Sequence, residues 1–319
     1  MNKYNYFYKL FPAIRCNLFF FKEKKKRIST PIWANLYNIP MEKFHLSLLY
    51  KIIGIGSASG LFYHDNSLFI ISDNSTFLYY YQIESNTLTK IPLIEDGQEN
   101  IIKKQKPDFE SITYYKNSLY LFGSGSTENR NKMIEVATTT KQVVASNDLT
   151  NLYLSMQSFG EIKPEDFNLE GAICNGESWY LFNRGNGISN KNVVFTVKGK
   201  NLANEFSLVV NTIKLPKIKG IHASFTDAIM VEDKIYFLAT AEDTESTYDD
   251  GEVLGSIIGR IDIKTMKIDF TKKITNKMKF EGLTLFYKND KQIAFLLCED
   301  NDTDLLESGI YKLSLDINK

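Results

Sequence analysis

The sequence predicts an all-β fold, a five-bladed β-propeller, on three observations. One strand–turn–strand unit recurs five times along the 319 residues. In the first four copies a second apolar run begins nine residues after the start of the unit. Helical 3.6-residue periodicity is hardly seen anywhere. Four antiparallel strands at a period near 55 residues is the pattern of a propeller blade.

The copies are SGLFYHDNSLFIISDNS from Ser59, ESITYYKNSLYLFGSGS from Glu110, EGAICNGESWYLFNRGNG from Glu170, TDAIMVEDKIYFLATAED from Thr226 and EGLTLFYKNDKQIAFLLCEDND from Glu281. Their starts lie 51, 60, 56 and 55 residues apart. The second runs open at Leu68, Leu119, Trp179 and Ile235, and at Ile293 after a three-residue insertion in the fifth copy. HDNS, YKNS, NGES, VEDK and YKNDK are the small polar clusters expected between hairpin strands. The second strands are nearly continuous apolar runs, as in a strand buried on both faces. Third strands follow as FLYYYQI, KMIEVAT, NVVFTVK, GSIIGRIDI and GIYKLSL, and fourth strands in most copies, such as KQVVAS and FSLVVNTI. The fifth copy ends after its third strand. FHLSLLYKII, near residues 45–53, is a spare strand that can complete it and close the ring, which protects edges that would otherwise invite aggregation. A six-bladed ring is the alternative, for which residues 45–319 are short.

Formal net charge is zero, so no global basic field points to nucleic acid or to an anionic membrane. Cys16, Cys174 and Cys298 lie far apart without metal-ligand spacing, which argues against a zinc site or a disulfide framework and for reduced thiols in a cytoplasmic protein. Residues 1–40 read as an appendage, or as an upstream misassigned start, before a single domain over 41–319. Their apolar run is interrupted by Lys9 and Arg15, too short to span a membrane, and a poor signal peptide. The expected state is a monomer.

The inner strand of each blade lines a central channel, so Ser59, Glu110, Glu170, Thr226 and Glu281 should converge. The next residues, Gly60, Ser111, Gly171, Asp227 and Gly282, are small or turn-forming, which lets backbones crowd towards an axis. Three carboxylates across a narrow channel repel and would take up protons. No Lys or Arg occupies an equivalent position. A divalent cation bound by this oxygen ring resolves the conflict, and calcium suits it, with six to eight oxygens in flexible geometry, better than magnesium. The alternative is a hydrated polar lining whose Glu residues pair with neighbours.

The loops between second and third strands return to the face where the hub residues enter, and they hold Asp73, Arg130, Arg184, Glu242, Asp243 and Asp300. With His222 and Asp227 these are the candidate ligand-binding residues. Arg184 beside Gly185 and Gly187 either grips a phosphate or carboxylate or makes salt bridges to Glu242 or Asp243. His222 is the best-placed base, or a structural histidine. Gly54–Gly60 has the wrong spacing for a dinucleotide loop, and no nucleophile elbow or HExxH occurs.

With Thr226 in place of a Ser, the order Ser, Glu, Glu, Ser, Glu resembles the soluble calcium-activated nucleotidases of the apyrase type, five-bladed propellers with a central calcium held by one side chain per blade. That resemblance implies the ring and the blade count; the aspartate-bearing active-site motifs of those enzymes are not found. LEGA and FEGL are similar to the Glu-Gly strands of SdiA-regulated and phytase-like propellers. From SASGLFY and SDNSTFLYYY to YDDGEVLGS, the chain most closely resembles a bacterial propeller family of unknown function, which implies the fold and no activity. Three functions stay open: a cation-dependent binding module for a small anionic ligand, a calcium-dependent phosphoester or nucleotide hydrolase, and a structural or protein-interaction scaffold.

Overall fold

Five four-stranded antiparallel sheets form a five-bladed β-propeller in the computed structural model, which describes residues 43–244, 251–300 and 306–317. Residues 1–40, expected as an appendage, lie outside the described residues, as do 245–250 of the fourth long loop and 301–305 of the fifth. Blade one is β2 (Ala58–His64), β3 (Ser67–Ser72), β4 (Phe77–Gln82) and β5 (Thr87–Pro92), from the axis outwards. Blade two is β6 (Phe109–Tyr115), β7 (Ser118–Gly123), β8 (Lys132–Ala137) and β9 (Gln142–Asp148). Blade three is β10 (Leu169–Cys174), β11 (Trp179–Asn183), β12 (Val193–Asn201) and β13 (Glu205–Thr212). A small hairpin, β14 (Lys217–Ile218) and β15 (Ile221–His222), precedes blade four, which is β16 (Ser224–Val231), β17 (Lys234–Asp243), β18 (Glu252–Asp262) and β19 (Lys267–Lys273).

Blade five is built from both ends of the described chain. β20 (Lys279–Lys288), β21 (Gln292–Asp300) and β22 (Glu307–Asp316) are completed on the outside by β1 (Phe44–Ile53), in the order β1-β22-β21-β20. The pairing runs from Phe44 opposite Leu315 to Ile53 opposite Glu307. This is the closure expected of the spare strand.

Turn chemistry explains the hairpins. Asp65 and Asn66 have φ of 46° and 56°, and Lys116 and Asn117 46° and 67°, two consecutive left-handed residues as in a type I′ turn. The second strands are sealed on both sides; every residue of β3 is buried. The apolar core is divided into five clusters, each filling the seam between two neighbouring blades, for example Phe69 and Ile71 against Ile112 and Leu121. One element departs from the expectation of an almost helix-free chain. Helix α1 (Thr150–Gly160) links blade two to blade three and buries Leu152, Tyr153 and Met156 in their seam. Its outer face carries Leu154 and Phe159, both exposed, so apolar residues fall on both sides and blur the period.

The inner strands grade from polar to apolar along the axis. Two residues beyond each expected hub residue stand Leu61, Ile112, Ala172, Ala228 and Leu283, all buried, with Leu61 packed towards blade five and Ala228 towards blade three. Close approach at this level requires glycine. A Cβ on Gly282 would lie 2.5 Å from both Cys298 Sγ and Leu61 Cδ2 and 3.0 Å from Gly60 Cα. Gly282→Ala should therefore destabilise the fold by about 1–3 kcal/mol, read as a lower denaturant midpoint at unchanged slope.

Candidate functional site

A β-bulge marks every one of the five repeat starts. The pairing of inner and second strands slips between Ala58 and Gly60, Phe109 and Ser111, Leu169 and Gly171, Phe225 and Asp227, and Phe280 and Gly282. The skipped residues are Ser59, Glu110, Glu170, Thr226 and Glu281. A bulge leaves its extra residue out of the ladder and re-aims its side chain. All five are buried.

Two further tiers converge with them. Two residues upstream of the bulge stand Ser57, Asp108, Asn168, Ser224 and Lys279. Just past the second-strand partner of the residue before the bulge stand Asp73, Ser124, Arg184, Thr240 and Asp300. Members of all three tiers line a polar cavity of about 90 Å³: Asp73, Asp108, Glu110, Glu170, Glu281 and Asp300 among the acids, Lys106, Arg130, Arg184 and Lys279 among the bases, with Ser57, Lys103 and Asn168. That volume holds an ion and a few waters.

The charges fall into two networks. In the first, Lys106 bridges Asp73 and Asp108, its Nζ 2.8 Å from Asp108 Oδ1. Arg130 Nη1 donates to Asp108 Oδ2 at 2.8 Å, and its Nη2 donates to the Lys103 carbonyl at 2.7 Å. Burial pushes the Asp108 carboxyl up, but Lys106 and Arg130 outweigh it and hold the group below the usual carboxylate range. In the second, Arg184 forks between Glu170 Oε1 (3.0 Å) and Glu242 Oε2 (2.7 Å), joining blades three and four. Lys279 Nζ lies 2.9 Å from Glu281 Oε1, 3.1 Å from Asp300 Oδ2 and 3.6 Å from Glu242 Oε1. Asn168 Nδ2 also donates to Glu170 Oε1 at 2.6 Å.

Glu110 stands between the two networks and is bonded to neither, although its charge, with those of Asp108 and Asp73, helps to hold the Lys106 pKa up. It is buried, and among the described residues it is the hub carboxylate without a hydrogen bond or ion pair. Burial, reinforced by Asp108, Glu170, Asp73 and Glu281, pushes its pKa well above the carboxylate range. Asp73 Oδ1 and Glu170 Oε2 are fully buried oxygens without a hydrogen-bond partner. Asp73, Asp108 and Glu110 each offer an oxygen within 4.8 Å of the others, a grouping able to hold a metal ion.

The structure places the expected residues differently from one another. Asp73, Arg130, Arg184 and Asp300 line the cavity with Glu110, Glu170 and Glu281, and Glu242 reaches it through Arg184. Arg184 is engaged by carboxylates, as in the salt-bridge alternative. The Ser59 and Thr226 hydroxyls donate to the carbonyls of Phe109 (2.5 Å) and Phe280 (2.6 Å) on the next blade. Asp227 accepts the backbone N–H groups of Ala228 (2.7 Å) and Leu283 (2.6 Å), a latch between blades four and five. His222 and Asp243 are exposed and line no part of the cavity. Lys106, Asp108, Asn168 and Lys279 were not anticipated. Three of these lie two residues before a hub residue, the spacing that could have found them; Lys106 has no such marker.

Residues 54–315 match the model of a family of unknown function (DUF6929), and the chain belongs to that family. No curated protein matches the sequence. Among solved structures, glutaminyl cyclase of Myxococcus xanthus is similar at 11% identity and a TM-score of 0.50, over 86% of this chain and 97% of that one. A PQQ-bound aldose sugar dehydrogenase from Streptomyces coelicolor is similar at 11% identity and a TM-score of 0.44, over 86% of this chain and 98% of that one. At such identities the likeness concerns the fold alone. No helix among the described residues is long and apolar enough to cross a membrane.

The second network gives a stability test. Lys279→Met leaves Glu281 and Asp300 buried against each other and should cost about 3–5 kcal/mol. Adding Glu281→Gln should restore part of that loss in a denaturant double-mutant cycle; strict additivity of the two changes would mean the residues are not coupled.

Proposed function

We propose, for a chain whose family carries no assigned activity, that the propeller is a cation-binding module that holds calcium at the acidic corner formed by Asp73, Asp108 and Glu110. The observation that carries this reading is Glu110, a buried carboxylate without hydrogen bond or ion pair beside two others. Burying such a charge uncompensated is costly, and a divalent ion would remove the cost. The donor set is all oxygen. That suits a hard cation, with cavity waters completing a calcium shell. Lys106 is the resident competitor, because its ammonium already sits between Asp73 and Asp108.

A small anionic ligand is the partner this reading implies, received at the cation on the loop face. Arg130 and Arg184 are spent on carboxylates, so the ion rather than a guanidinium would supply the positive charge. A cavity of about 90 Å³ is well below the several hundred that enclose a drug-sized ligand. This weighs against a nucleotide hydrolase whose substrate lies within the hub, although a bound cation could position water for a smaller ester. A second reading keeps calcium on the axis, held by Ser59, Glu110, Glu170, Thr226 and Glu281. It is favoured by the two hydroxyls, which donate outwards and keep lone pairs free. The scaffold reading has no particular side chain in its favour.

Calorimetry and thermal melts separate these readings. Calcium at a hundredfold excess over its Kd should stabilise the protein by about 2.7 kcal/mol, and EDTA should reverse this. Asp73→Asn and Glu110→Gln should abolish the response while Glu281→Gln keeps it; loss in Glu281→Gln with retention in Asp73→Asn would favour the axial ring. Two unit charges 4 Å apart at an effective dielectric of ~20 interact by about 4 kcal/mol. Lys106→Met should therefore bind calcium at least roughly tenfold more tightly. No calcium effect on the wild type would end the cation reading.

A further inference from the structure

The face opposite the polar hub holds a second cavity, of about 330 Å³. Its walls come from the far halves of all five inner strands. Along each strand the residue four beyond the bulge contributes: Tyr63, Tyr114, Cys174, Met230 and Leu285. The floor includes Leu61, Ile112 and Leu283, members of the buried apolar tier that lies between this cavity and the hub. The two cavities share no lining residue.

The lining chemistry defines what the cavity accepts. Among the described residues no Asp, Glu, Lys, Arg or His lines it. An ion entering would lose its hydration with nothing to replace it, so an uncharged ligand is selected. Aromatic walls are already in place. Phe62 and Tyr114 stack at 4.9 Å and 13°, and Tyr63 meets Phe286 edge to face at 5.1 Å and 75°. The polar side-chain groups of the lining residues are the hydroxyls of Tyr63, Tyr114, Thr113 and Thr284 and the thiol of Cys174; the Tyr114 hydroxyl donates to Asn117 Oδ1 at 3.2 Å. Thr284 Oγ1 accepts the Tyr63 N–H at 3.1 Å, which leaves its own proton to donate. The volume falls at the lower end of the range for small-molecule sites and is too small for a macromolecular surface. Strands rather than loops form the walls, so the cavity is pre-formed.

We propose that this vestibule is a binding site for a small, uncharged aromatic molecule bearing one hydrogen-bonding group, received between the Phe62–Tyr114 stack and Tyr63. It is independent of the cation reading, since it lies on the other side of the apolar tier.

Cys174 is half-buried in the wall and serves as the reporter. Full-length protein is alkylated with N-ethylmaleimide, and the Cys174 peptide is followed by mass spectrometry with naphthol or naphthoate present. Naphthol at ten times its Kd should slow modification about tenfold, and naphthoate at the same concentration should hardly slow it. Absence of protection by saturating naphthol would overturn the proposal, and equal protection by naphthoate would overturn the assigned ligand class. Calorimetry adds a variant. Met230→Trp fills the cavity and should weaken naphthol binding at least tenfold, whereas Phe159→Ser, which removes an exposed ring on α1, should leave it unchanged. Unchanged affinity in folded Met230→Trp, or loss in Phe159→Ser, would place binding elsewhere. Should Met230→Trp not fold, the wild-type alkylation result decides.

Discussion

Compensation of buried carboxylate charge at the propeller axis is the constraint on which the rest of this structure depends. Four blades deliver Asp73, Asp108, Glu110, Glu170, Glu281 and Asp300 to one small cavity, and blade four sets Glu242 beside it. No chain can bury such a set without counter-charges, because the desolvation of each ion costs several kcal/mol. Lys106, Arg130, Arg184 and Lys279 supply most of what is needed. Lys106, Arg184 and Lys279 also reach across blade boundaries, so their ion pairs clamp neighbouring blades, whereas Arg130 pairs within blade two. Arg184 ties blade three to four, and Lys279 draws the end of β17 towards β20 and β21. Glu110 feels the Lys106 charge but makes no hydrogen bond or ion pair, and the functional reading grows from that residue.

The ring closure and the five bulges work together to hold this geometry. Each bulge lifts one residue out of the ladder, bringing Glu110, Glu170 and Glu281 to the cavity, while the next small residue lets the inner strands approach. Ser59 and Thr226, which bear no charge, use the same position to donate a hydrogen bond to the following blade. Asp227 stands one place later and captures two backbone N–H groups. The bond to Leu283 joins blades four and five, which makes Asp227 a structural latch. β1 turns the open row of blades into a ring, so the axis is bounded on all sides.

Much of the architecture was legible in the sequence because a repeat exposes itself by its period. The five starts marked the bulges, although only the pairing register shows that they are bulges. The spare strand Phe44–Ile53 was identifiable by subtraction from an incomplete fifth blade. The counter-charges were harder to see. The expectation that no Lys or Arg occupies an equivalent position holds for the bulge itself, yet Lys279 sits two residues upstream of Glu281 and reaches it. Alternate residues of a strand share a face, so the tier at that spacing was open to inspection. Lys106 could not be found this way, since it reaches Asp73 and Asp108 from a loop. Helix α1 escaped because Leu154 and Phe159 make its outer face apolar as well. The vestibule escaped because its lining is indistinguishable, residue by residue, from an ordinary core strand.

The most direct test of the central claim is crystallographic. Crystals soaked in terbium, a calcium substitute with strong anomalous scattering, would locate the ion without reference to function. The account predicts an anomalous peak within bonding distance of Asp73, Asp108 and Glu110, with the Lys106 ammonium moved away. A hub free of anomalous signal, with Glu110 bonded only to water, would contradict it.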